Sequence, residues 1–254
     1  MTKRTSYVLG TAALVVALMA VATGIAGAEK PVISRSGEIE TEFNGGFSPK
    51  VLSKTKLTPI SFNVSGKMRR LNAEEPHLPA LKEFLLDGDK HTAISVKGIP
   101  VCKATQLQST DTSSARKACG PALVGSGKTE VGIKFPEQPE IPVKSELLAF
   151  NGGEKGGVTT LLIHAYITVP TPAAIVTTVK VKRIHKGRFG LGSVSTIPKI
   201  AGGSGSVKSF SLALQKGIIL ATCADGRLVA NGSVVFADGT KVSGEVVRPC
   251  TGKG

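Results

Sequence analysis

The sequence predicts an all-β protein, a β-sandwich-like arrangement of antiparallel sheets with one short helix, and three observations carry that expectation. From Gly37 onward, short runs alternate apolar and polar residues with period two. Clusters of Gly, Pro, Asn and Asp separate those runs, as tight connections between strands require. Between them no segment has the length and helical periodicity of the crossovers a parallel sheet needs.

The first run sets Ile39, Thr41 and Phe43 against Glu38, Glu40 and Glu42, so one strand face carries three carboxylates, and Asn44-Gly45-Gly46 is expected to turn the chain. Further strands are expected at 60–64, 83–86 and 92–96. Helix signals are confined to residues 102–119, where Asp111-Thr112-Ser113 can cap a short helix through Ala115-Arg116-Lys117-Ala118. Strands then follow at 131–135, 143–150, 159–169, 175–184, 207–214, 218–223, 227–230 and 234–236. Residues 136–142 hold three prolines, which make a stiff connector and keep it out of a central strand. The connector is also where two packed halves would meet if residues 29–254 are not a single sandwich. Phe43-Asn44-Gly45-Gly46 recurs as Phe150-Asn151-Gly152-Gly153, a match that shared turn chemistry explains as well as duplication does.

The start of the chain has the order of a secretory signal. Lys3 and Arg4 precede an uncharged apolar run at 7–25, and Ala26-Gly27-Ala28 offers small residues for cleavage before Glu29. The run is longer than the usual apolar core of about 7–15 residues, so an uncleaved membrane anchor is the alternative. Either way residues 29–254 are expected outside the cytoplasm, as a secreted or cell-surface domain.

The four cysteines agree with an oxidising compartment. Three pairings are open to them. Cys102 with Cys119 and Cys223 with Cys250 close the shortest loops and are the expected pairs. Neither pair has the close spacing of a zinc site and no histidine flanks one, so no metal is expected. The chain has 32 Lys+Arg against 18 Asp+Glu, a net charge of +14. The signal takes away only Lys3 and Arg4. A field of this sign suits an anionic envelope polymer or a membrane surface. Nucleic acid is not expected, because Trp is absent, Tyr occurs twice, and apart from Met68-Arg69-Arg70 and residues 180–186 the basic residues are scattered.

Motifs for chemistry are sparse. Gly125-Ser126-Gly127-Lys128-Thr129 looks like the end of a phosphate-binding loop, but Ala122 stands where the first glycine belongs and a strand pattern follows, so a glycine turn is expected. Gly202-Gly203-Ser204-Gly205-Ser206 reads as a flexible connection between strands. His164 and Tyr166 share one face of a strand, and His164 is the candidate general base if the protein is a hydrolase. No G-x-S-x-G or H-E-x-x-H string accompanies it. Glu38, Glu40 and Glu42 come nearest to a glycosidase carboxylate pair or a weak cation site, and a solvated face is the expected reading. His77, His91 and His185 lie in polar or turn contexts. Asn63-Val64-Ser65 and Asn231-Gly232-Ser233 fit the glycosylation sequon.

The block order Phe47-Ser48-Pro49-Lys50-Val51-Leu52, Lys97-Gly98-Ile99-Pro100, Ala118-Cys119-Gly120-Pro121-Ala122-Leu123-Val124-Gly125, Phe150-Asn151-Gly152 and Phe236-Ala237-Asp238-Gly239, with Cys102, Cys223 and Cys250, resembles a group of secreted actinobacterial β-rich proteins. The group has no assigned activity. The resemblance implies export and a β-rich fold and no catalytic residue. The functional expectation is a non-catalytic secreted or cell-surface protein that binds or structures something in the envelope. The alternative is a secreted hydrolase with a site assembled around His164. No cofactor is expected.

Overall fold

A computed structural model describes residues 29–254, so the signal segment and its anchor alternative lie outside the described residues. Among the described residues the architecture is all-β with one α-helix, and its strands pair antiparallel except for one short parallel pair. Its strands are β1 (Val32–Ser36), β2 (Ile39–Ser48), β3 (Val51–Ser53), β4 (Thr58–Arg70), β5 (Leu81–Asp89), β6 (Thr92–Ile94), β7 (Leu123–Ile133) and β8 (Ile141–Lys155). They continue as β9 (Val158–Ile167), β10 (Ala173–Lys186), β11 (Phe189–Thr196), β12 (Gly205–Ala221), β13 (Arg227–Phe236), β14 (Lys241–Pro249) and β15 (Thr251–Lys253).

Thirteen of these form one sheet in the order β1-β2-β4-β12-β7-β8-β9-β10-β11-β5-β13-β14, with β6 paired to β12. The sheet curls until β14 packs against β1 and β2, which brings it close to a closed barrel. So the finer arrangement is one curled sheet, where two stacked sheets were expected. The ends meet by overlap. Phe43 of β2 reaches across to Gly232 and Gly244, which pair with each other on β13 and β14. A Cβ at Gly244 would stand 2.5 Å from the Phe43 ring, so only glycine lets the two ends approach.

The connector at 136–142 does not separate two units. Strand β8 begins inside it at Ile141 and takes in Pro142 opposite Gly132 of β7, so the prolines do not keep all of it out of a central strand; β4 from the first half pairs with β12 from the second, and β5 lies between β11 and β13. Curling one sheet buries its concave face without needing a second sheet.

Three turn expectations are corrected. Asn44-Gly45-Gly46 continues inside β2, and Phe150-Asn151-Gly152-Gly153 lies inside β8, where the register slips between Asn151 and Gly153. Gly125-Ser126-Gly127-Lys128-Thr129 is part of β7. Its glycines answer close backbone approach, because a Cβ at Gly127 would fall 1.8 Å from the carbonyl oxygen of Ser211 on β12. The third glycine cluster does behave as a connection, a 3₁₀ turn at Ala201–Gly203 with positive φ at all three residues, leading into β12.

The helix α1 (Thr112–Cys119) begins where the sequence places it, with the Asp111 carboxylate accepting from Ser114 N at 2.7 Å. Cys102 is bonded to Cys119 and Cys223 to Cys250. The first bridge holds residues 102–119 as a cap on the convex face of the sheet, where Leu107 and Ala115 bury Leu148, Phe150 and Leu162. Asn151 fastens the edge of the cap: its Nδ2 donates to the carbonyls of Ile99 and Pro100, and its carbonyl accepts from Cys102 N. The second bridge lies beside a small cluster of Phe47, Leu52, Ile60 and Leu228, next to the parallel pair β3 and β15.

Candidate functional site

The period-two alternation that builds the strands also lines the interior of the curled sheet. Leu161, Ile163, Ala165 and Ile167 on β9 and Ile175, Thr177, Val179 and Val181 on β10 all face one interior cavity of about 280 Å³. Strands β4 and β12 close the other side with Phe62, Phe210 and Leu212. The Phe84 and Phe210 rings meet edge to face at 5.0 Å, and Gly66 leaves room for Phe210. Almost all the lining is hydrocarbon. A lining of this kind offers water few of the two to four polar partners it needs and suits apolar molecules.

Two charged side chains reach the wall. Asp89 is 6% exposed, and its carboxylate accepts from His91 N and Val229 N and pairs with the His91 ring at 2.9 Å. Arg248 is 8% exposed and stands at the last inward position of β14, after Val242, Gly244 and Val246. Its guanidinium donates to the Gly45 carbonyl at 2.6 Å and to Asn44 Oδ1 at 2.7 Å, and its Nε lies 2.8 Å from Glu29 Oε2. The other Glu29 oxygen pairs with Lys50 at 2.7 Å, and Lys50 sits over the Phe47 ring. Arg248 and Lys50 are more than 200 and about 20 residues from Glu29, so only the fold brings the three together.

His164 and Tyr166 do lie two apart on β9, as the sequence places them, but they point away from the cavity. His164 is fully buried beneath the disulfide-held cap, with Nε2 2.9 Å from the Thr110 carbonyl and no partner on Nδ1. Burial holds its pKa below the ordinary histidine value, with the Thr110 carbonyl and the Asp111 charge acting in the other direction. The Thr110 hydroxyl also stands 3.4 Å from Nε2 but donates to the Leu107 carbonyl at 2.7 Å, and the Asp111 carboxylate is engaged in capping α1. Ser145 Oγ accepts from the backbone N–H of Tyr166 at 3.0 Å, which ties β8 to β9.

The three-carboxylate strand is not simply solvated. Glu40 is 7% exposed and lies between Arg35 and Arg69, which together hold its carboxyl below the usual range; Glu38 pairs with Arg70 at the surface. His77 contacts Glu140, which also pairs with Lys208. Burial works to raise the Glu140 carboxyl, and Lys208 and His77 outweigh it, so its pKa is lowered. Among the described residues, no group of three His, Cys, Asp or Glu side chains could hold a metal ion, and no helix is long and apolar enough to cross a membrane.

Against family models, curated proteins and solved structures, the chain has no significant match.

Sequence reasoning missed the cavity and Arg248. The cavity follows from adding the inward halves of a dozen alternating strands, which no single strand reveals. Arg248 did leave a trace: it is the one charge on the inward set of β14.

Proposed function

We propose that this protein is a non-catalytic binding protein, exported to the envelope or beyond it, and that its ligand is an apolar molecule held inside the curled sheet. The observation that carries the reading is the hydrocarbon-lined cavity of about 280 Å³. An apolar occupant removes this hydrocarbon lining from water, which stabilises by about 25 cal/mol per Å² of apolar surface buried. By proportion with an engineered cavity of about 150 Å³ that takes up benzene, roughly ten to twelve carbon atoms fit. Two disulfides and the signal-like start support export. The basic surface supports approach to anionic envelope polymers or membrane surfaces, from which an apolar ligand could be drawn.

Titration of the purified chain with decanol tests the reading. Saturable one-to-one binding with a negative heat-capacity change is expected, since apolar surface is buried. Lack of saturable binding up to the solubility limit of decanol overturns it. Export is tested by the intact mass of protein collected from the medium of a secreting culture, which is expected to begin at Glu29.

A further inference from the structure

The cavity has a charged end, and its composition selects a ligand more narrowly than hydrocarbon does. Arg248 lines the cavity while more than nine-tenths buried. The anion it faces is Glu29, whose Oε2 also stands 3.4 Å from where a Cβ on the cavity-lining Gly46 would lie. Lys50 faces the same carboxylate from the other side. Among the described residues, two cations therefore meet one carboxylate, which leaves a net positive charge beside an apolar space.

The carboxylate in place is also the one most easily displaced. Glu29 and Lys30, whose carbonyl lies 3.3 Å from Arg248 Nη2, precede β1 and belong to no strand. The contacts of Arg248 with Gly45 and Asn44, by contrast, come from the interior of β2. A ligand can replace the first pair while the second keeps the guanidinium in position.

We infer that Arg248 and Lys50 are the head-group site for a medium-chain carboxylate, which displaces Glu29 and places its alkyl chain in the cavity. This rests on the apolar-ligand reading above. The carboxylate class follows from what occupies the site now: an anion of that shape already meets both cations, Arg248 Nε at 2.8 Å and Lys50 Nζ at 2.7 Å. A buried guanidinium discriminates strongly between a charged and a neutral head, because charge-assisted hydrogen bonds are stronger than neutral ones. The segment at 29–31, ahead of β1, then acts as a tethered competitor, whose local concentration sets how readily free ligand enters.

The test compares decanoate with decanol by calorimetry at pH 7.5, on the wild-type chain and on Glu29→Gln, a variant that leaves both cations in place. Decanoate is expected to bind more tightly than decanol to the wild type. In Glu29→Gln the preference for decanoate is expected to grow about tenfold, with decanol affinity unchanged. Arg248→Lys, which keeps the charge but loses the fork, is expected to reduce the preference. Equal affinities for the two probes in both forms overturn the head-group inference while leaving the cavity reading standing. Binding of neither probe overturns both.

Discussion

The ring of Phe43 lies against Gly244, close enough that a Cβ on Gly244 would come within 2.5 Å of Cδ2. This contact joins the two ends of the sheet, where no ladder of backbone hydrogen bonds runs between β14 and its neighbours β1 and β2. Closure therefore depends on side chains, through this packing and through the hydrogen bonds of Arg248 to Asn44 and Gly45 of β2. Gly244→Ala is expected to destabilise the protein by about 1–3 kcal/mol through overpacking. Adding Phe43→Leu should return part of the loss. Denaturant unfolding of the two single variants and the double variant measures this coupling, and additive effects would show that the two residues do not form the seam.

Filling the cavity separates stability from binding. Ala165 faces the interior from β9. Ala165→Leu adds three carbons to a space that can hold them, at about 0.8 kcal/mol per buried CH₂. The expected outcome is a free protein more stable by roughly 1–2 kcal/mol with decanol affinity lowered at least tenfold. A variant that binds as well as the wild type would place the ligand elsewhere.

His164 gives the cap a pH signature. Its folded-state pKa is depressed by burial, so the folded protein favours neutral imidazole and the unfolded chain binds more protons. Its contribution to stability is complete above the ordinary histidine value of about 6.5 and is lost as pH falls from there toward the lower folded value. Wild-type melting temperature should fall across that window, and His164→Gln should fall less steeply. Identical profiles would mean that His164 does not titrate with unfolding.

Removing the first disulfide loosens the cap that buries His164. The Cys102→Ala, Cys119→Ala double variant is expected to lose about 2–4 kcal/mol. Its His164 imidazole should then titrate closer to the ordinary value, followed by NMR. An unchanged titration would show that the contacts of Leu107, Ala115 and Asn151 hold the cap without the bridge.

Glu40 works in the opposite sense. Arg69 and Arg35 lower its pKa, so its contribution is present above the ordinary carboxyl value and disappears as pH falls through the depressed one. Glu40→Gln should lower the melting temperature at neutral pH and match the wild type in acid. A gap that persists in acid would assign the loss to packing.

Many strand positions, the helix between the first two cysteines and its Asp111 cap were legible, because each rests on a local rule: a period of two, or a side chain that reaches a backbone N–H three residues on; β1, β3, β11, β14 and β15 were not anticipated, and β12 and β13 were each expected as two strands. The glycines misled. At Gly45 and Gly127 glycine is needed not for a turn but because a carbonyl of the next strand, Asn63 or Ser211, leaves no room for a Cβ. That carbonyl lies far along the chain, so sequence adjacency cannot announce it.

The sequence by itself determined that residues 29–254 are all-β, which faces of many of their strands are apolar, and where the helix between the first two cysteines begins. The tertiary structure decided that the strands form one curled sheet around a cavity, that His164 lies sealed on the outside of that sheet, and that Arg248 meets Glu29 across almost the whole chain. The physical reason is that alternation specifies the face a side chain takes and not the strand it will face. Partner choice emerges only when all the strands compete for register and burial at once.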